Sequence, residues 1–413
     1  MKKILDICEK YAPELMILLL CVPAYIGLKG IIDSYHVFFY FTDYSTGFGG
    51  KKLIGELCSF WLPEVVQKRH IFPLILAVNT LMIGLFAWFC GRCIRSQSTN
   101  QFAWVIFITV YLLSPYSFIG LVSNGNFDFY LCAATLLFLY LYLKHKGTWY
   151  YYALSAIILS TACLIHQIFC NIYFPLVFAI FVYDVFADET NRKKNIIMYA
   201  SITLVLFCLF CAIALFSTMN VDLNTYYDYL QTRTTESIDL SYKPALYYEY
   251  YARLPEHISA YVEPIWKYNI ARFVFTLIVF LPFWAILWTP WIMAIKSSDS
   301  MKEKWCLLLM QISMHVIILP AYIMAVDYQR WTYAYCFCQV CILLIMYMQN
   351  NQMKRQIDTV IAYLIEHKTF SLLGVLYICS FGLVDNASSA PIVEYLCGLF
   401  DLQWKVNEVL PMN

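Results

Sequence analysis

Long apolar segments, each close to the length that crosses a bilayer, limit what this chain can fold into. A spanning helix needs about 20 mostly apolar residues. Eleven stretches qualify, at roughly 15–32, 71–91, 102–122, 127–143, 149–166, 169–186, 196–217, 271–294, 305–326, 332–349 and 370–385. Of the 413 residues, 61% are hydrophobic and 13% are charged, against about 25% charged in soluble domains. The expected fold class is therefore an all-α integral membrane protein of about 11 transmembrane helices. Residues 1–413 form a single polytopic domain, with the lipid bilayer as its first partner. A net charge of +1 leaves no footprint for nucleic acid. Most of the sixteen cysteines lie inside apolar runs and read as small hydrophobes. Cys58 and Cys397 fall outside those runs, and a bond between them is left open. The cysteines three apart, Cys90 and Cys93, Cys208 and Cys211, and Cys338 and Cys341, sit in or at the edge of apolar runs, and no metal and no cofactor is expected.

Basic residues give the orientation. With the N-terminus inside, the short inside loops carry sixteen Lys and Arg, and every one of them has at least two. The outside segments carry ten, concentrated in two long loops at 33–70 and 218–268. The C-terminus then lies outside. The run Leu15–Ile32 is long for a signal peptide and no cleavage site follows it, so it reads as a retained first span.

The two sides differ in chemistry. Inside loops are short and basic, whereas the first outside loop mixes Asp43, Gly47, Gly49, Gly50, Lys51, Lys52 and Gly55 with Phe41, Phe48 and Trp61. The second holds Arg233, Arg253 and ten tyrosines, and the spacing around Tyr247–Leu254 predicts a helix lying at the interface. Five polar groups collect at the outer ends of spans: Asp43 with Lys51 and Lys52, Ser123 through Asp128, His166-Gln167, Arg233 with Arg253, and Asp327 through Trp331.

Every one of these groups also has a structural role open to it. Asp327 and Arg330 could pair across one helical turn, and Asp128 could cap a helix. His166 could be a hydrogen-bonded interface residue, Lys51 and Lys52 could meet lipid headgroups, and Arg233 or Arg253 could pair with Glu236, Glu249 or Glu256. None of these explains why all five gather on one side, since ionisable groups near membrane depth usually mark a site. A lipid diphosphate sugar fits such a site. It needs interfacial cations for the phosphates, aromatic surfaces for the sugar and a carboxylate or His to take a hydroxyl proton.

The sequence Asp43-Tyr-Ser-Thr-Gly47-Phe-Gly-Gly-Lys51-Lys52-Leu-Ile-Gly55 resembles the pattern D-x-x-T-G-F-x-x-[RK]-x-[LI]-x-G. Asn126-Phe-Asp128 resembles R-F-D, His166-Gln167 with Pro175 resembles H-E…P, and Asp327-Tyr-Gln-Arg330-Trp331 resembles D-x-x-R-[WY]. These patterns belong to bacterial polysaccharide polymerases of the Wzy/EpsG type and related GT-C-like multispan glycosyltransferases. Asn126 and Gln167 replace charged residues of the pattern. The resemblance implies a multi-pass enzyme of the bacterial inner (plasma) membrane that joins capsular, exopolysaccharide or O-antigen units at its outer face. The donor would be polyprenyl-diphosphate-linked, and other polysaccharide assembly proteins would be partners.

On this reading Asp43 is the first candidate for the base, because it lies in a Gly-rich loop beside cations, with His166 and Asp327 next. Lys51, Lys52, Arg233, Arg253 and Arg330 are candidates for the diphosphate, and Asp128 for substrate binding. The rivals are a transporter or flippase for lipid-linked glycans and a non-catalytic membrane scaffold. Transport would place charge in mid-span, where His315 is the main ionisable side chain expected.

Overall fold

The computed structural model describes residues 10–21, 34–96, 101–114, 117–118, 127–236, 243–251, 281–324 and 328–380, with isolated positions between 270 and 278 and at 398–399. Among these residues the fold is all-helical, with an isolated parallel bridge between Val66 and Thr234 in place of any sheet. The helices are α1 (Ala12–Leu20), α2 (Ser34–Val37), α3 (Leu53–Cys58), α4 (Lys68–Arg95), α5 (Gln101–Leu113), α6 (Asp128–His145), α7 (Trp149–Ile165), α8 (Phe169–Ile172) and α9 (Phe174–Ala187). They continue with α10 (Arg192–Phe216), α11 (Leu223–Thr232), α12 (Lys243–Tyr250), α13 (Leu281–Ser297), α14 (Met301–Val316), α15 (Leu319–Met324), α16 (Tyr328–Gln349), α17 (Asn351–Glu366) and α18 (Lys368–Ser380).

Four described segments are helical, long and apolar enough to cross a membrane: Lys68–Arg95, Arg192–Phe216, Met301–Ala321 and Trp331–Gln349. A fifth arises if α17 and α18, bent by 98° at their junction, count as one span. The expected spans at 149–166 and 169–186 appear as shorter helices, the second broken at Tyr173 between α8 and α9. The stretch after 349, read from sequence as a basic inside loop, is helical and forms the amphipathic α17. Asn350 caps it by accepting from the Met353 amide at 2.7 Å. Its buried Met353, Ile357 and Ile361 recur every four residues and share one face.

The core is organised around α16. Its sequence is apolar on all sides, which suits a helix enclosed by others, and it is buried along nearly its whole length from Trp331 to Tyr347. Helices α4, α6, α9, α13 and α17 all pack on it. The opposite case is α10, where Ile196, Ile197, Leu204, Val205, Phe207, Leu215 and Phe216 stand exposed along the helix. Such a continuous apolar face is costly in water and cheap in lipid. Helix α4 has 28 residues and so is about 42 Å long, more than the roughly 30 Å hydrocarbon layer. Its start is fixed by a reciprocal cap in which the Gln67 amide donates to His70 Nδ1 at 3.1 Å. Arg92 and Arg95 in its last turn complement the helix dipole.

Candidate functional site

The segment 34–66 lies across one end of the bundle and touches most of the groups singled out above. Its anchor is the run Phe38–Phe41, buried throughout. Phe39 and Tyr40 each pack on Phe127 with ring centroids 5.5 Å apart, which ties the segment to the start of α6. Asp43 then caps a short 3₁₀ turn, Tyr44–Thr46. Its Oδ1 accepts from the Ser45 amide at 3.0 Å and from the Ser45 hydroxyl. Glu56 holds the same turn from α3, accepting from the Tyr44 amide at 3.1 Å.

Glycines are required where this segment meets the rest of the chain. Gly47 has φ +125°, and a Cβ there would lie 2.2 Å from the Thr218 carbonyl oxygen. The approach allows the Thr218 amide to donate to the Phe48 carbonyl at 2.8 Å and the Asn220 amide to the Thr46 carbonyl at 2.9 Å. A Cβ on Gly50 would lie 2.3 Å from Gln167 Oε1, so the segment also rests on the turn after α7.

Lys52 is the hidden cation of the segment. It is fully buried, and its Nζ donates to the Gly47 carbonyl at 2.8 Å, Thr46 Oγ1 at 3.1 Å and Met219 Sδ at 3.1 Å. Loss of hydration pushes its pKa down from 10.5 to about 8, a fall that the charge of Asp43 opposes. Lys52 therefore ties the Gly-rich segment to 217–220 from within. Lys51 is also buried, adopts φ 62° and places its ammonium 5.3 Å from the Phe39 ring centroid.

The second long outside loop of the sequence reading contributes α11 and α12. Asp222 caps α11, accepting from the Asn224 and Thr225 amides at 3.0 and 3.1 Å, and the Thr225 bonds hold its carboxyl below the usual range. The observed helix Lys243–Tyr250 begins earlier than the one expected around Tyr247–Leu254. Tyr226 Oη and Thr42 Oγ1 lie 2.7 Å apart, and burial raises the Tyr226 pKa. At the end of α11, Arg233 donates from Nε to the Glu64 carbonyl at 2.8 Å and from a terminal nitrogen to Tyr229 Oη at 2.6 Å. Its guanidinium sits 5.9 Å from the Phe41 ring centroid. Of the acidic residues considered as partners for Arg233 or Arg253, Glu236 is bound by Lys68 at 3.3 Å.

His166 follows α7 with extended backbone and is largely buried. Its Nδ1 accepts from the Ile168 amide at 3.3 Å, so the neutral ring carries its proton on Nε2. Asp128 is the first helical residue of α6, not its cap, and its carbonyl accepts from Tyr173 Oη at 3.5 Å. Asp327 and Arg253 lie outside the described residues, as does Cys397. Arg330 is described as part of the first turn of α16. The structure thus brings together Asp43, Lys51, Lys52, Arg233, the His166–Gln167 turn and the start of α6, with the segment 34–66 as their common contact.

One polar cluster was not anticipated from the sequence. Asp184, buried on α9, accepts from Tyr199 Oη at 2.7 Å, Asn195 Nδ2 at 3.1 Å, Lys146 Nζ at 3.4 Å and Tyr142 Oη at 3.5 Å. It lies about 15 Å along α9 from Phe174, toward the opposite end of the bundle from Gln167. Asp184 thus joins His315 as an ionisable group within an apolar run. His315 lies on α14, with Tyr335 Oη 2.7 Å from its Nε2. Among known proteins, the chain matches no family model, no curated protein and no solved structure.

Proposed function

We propose that the chain is a membrane glycosyltransferase that takes a polyprenyl-diphosphate-linked sugar or oligosaccharide and polymerises polysaccharide repeat units at the outer face of a bacterial inner membrane. In this reading the chain has eleven spans and an inside N-terminus, and the segment 34–66 faces out. The observation that carries it is the convergence, on the segment 34–66, of a partly exposed carboxylate, several cations and many aromatic rings.

In the reaction an acceptor hydroxyl attacks the anomeric carbon of the donor. A new glycosidic C–O bond forms, and the bond to the lipid diphosphate breaks. Asp43, accessible at the end of the bundle, takes the hydroxyl proton. Its bonds from Ser45 hold the carboxylate in one orientation. Arg233, with Arg253 and Arg330, meets the charge of the departing diphosphate. Lys52 acts through the loop, keeping the Asp43 turn seated on 217–220. Exposed aromatic side chains of the same segment, Phe48 stacked on Tyr44 and Phe60 and Trp61 after α3, offer faces for the glycan.

Asp43→Asn keeps the size of the side chain and its ability to accept from Ser45, but removes the base. Cells carrying it should make no polymer and should accumulate single lipid-linked units, with the protein at normal level in the membrane. Full-length polysaccharide from that variant would exclude Asp43 as the base.

A further inference from the structure

Cys163 lies in the last turn of α7 and Cys170 in α8, and their sulfurs are 3.6 Å apart. Among the described residues no other pair of cysteine sulfurs is in hydrogen-bond contact. The proximity follows from the break at His166. Its extended backbone ends α7, and the chain turns back so that Cys170 faces the helix it has just left. Two sulfurs at this distance need about 1.5 Å of approach to reach a bond length near 2.0 Å. The eight-residue ring they would close contains His166 and Gln167, and Gln167 Oε1 is the group against Gly50. That oxygen is buried without a hydrogen-bond partner among the described residues, so no bond of its own secures the turn there.

We propose that Cys163 and Cys170 are a reversible dithiol–disulfide pair that locks the His166–Gln167 turn against the segment carrying Asp43. The assignment of an oxidising environment rests on the outward orientation given under the proposed function. The oxidant is a disulfide, small or protein-borne. Cys170 is half-buried and Cys163 fully buried, so attack begins at Cys170. The Cys170 thiolate forms a mixed disulfide and one thiolate leaves. Cys163 then loses its proton and attacks the Cys170 sulfur, and the second thiolate leaves. Two thiol protons pass to solvent, and two electrons pass to the oxidant disulfide.

The test uses the full chain in membrane vesicles, treated with oxidised glutathione, alkylated after unfolding and mapped by mass spectrometry. The expected result is a loss of two alkylatable thiols, a Cys163–Cys170 linkage lighter by two hydrogens, and recovery of both thiols with dithiothreitol. Cys170→Ala should leave Cys163 alkylatable under the same conditions. Full alkylation of both thiols after oxidation would overturn the proposal, as would a bond from Cys170 to Cys211. This readout needs no glycan transfer: if the linkage forms but polymer and lipid-linked units are unchanged on deletion of the gene, the proposed function fails and the disulfide stands.

Discussion

Replacing Lys52 with Met probes the element that seats the Asp43 turn. At pH 7 the substitution removes two charge-assisted hydrogen bonds to oxygen, worth about 1.5–3 kcal/mol each, together with the weaker bond to Met219 Sδ. It also relieves the cost of burying an ammonium, about 3 kcal/mol for a pKa that falls from 10.5 to about 8. The net change in global stability is thus small, roughly 0–3 kcal/mol. The pH dependence is more informative. Between about pH 8 and 10.5 the unfolded chain holds the Lys52 proton and the folded chain does not. Folding stability from this group therefore rises with pH across that window, is complete above it and is absent below about pH 8. Unfolding of the wild type in mixed detergent micelles should gain about 3 kcal/mol from Lys52 over that range. Lys52→Met should lack this gain, so the difference between the two proteins should widen steadily from pH 8 to 10. Parallel pH profiles for wild type and variant would refute the buried, partner-held placement of Lys52.

Gly47→Ala forces a side chain onto a backbone at φ +125° and against the Thr218 carbonyl. It should cost about 1–3 kcal/mol and loosen the segment, read as faster proteolysis between residues 43 and 52; unchanged cleavage would contradict the close packing. Asp184→Ala leaves Tyr199 and Asn195 without their acceptor and frees Lys146. It should lower stability by about 2–4 kcal/mol, seen as an earlier unfolding midpoint, and a shift near zero would rule out the network as a structural pin.

Much of the architecture was legible in the residues because the solvent imposes it. Long apolar runs near 68–95, 192–216, 301–321 and 331–349 become helices, since a helix satisfies its own backbone in lipid. The stretch Asp43 to Gly55 was recognisable by its glycines, and three of them do sit where another chain segment or side chain approaches. The partners were not recognisable. Lys52 reaches Met219, 167 residues away, and Val66 pairs with Thr234. No local pattern records such contacts. Lys52 read as a cation for substrate, whereas its surroundings make it an internal tie. Asp184 was hidden for a related reason. One carboxylate in an apolar run resembles a loop edge until α6 and α10 bring Tyr142, Lys146, Asn195 and Tyr199 to it. The regular spacing of α17 is present in the sequence, because Met353, Ile357 and Ile361 mark one face.

The central claim is that this chain joins lipid-linked glycan units. Its most direct test is deletion of the gene, followed by mass spectrometry of the lipid-linked glycans and restoration with the wild-type chain. The account predicts that long polymer disappears and single complete repeat units accumulate on polyprenyl diphosphate, with both effects reversed on restoration. Unchanged polymer together with an unchanged pool of lipid-linked units would contradict it.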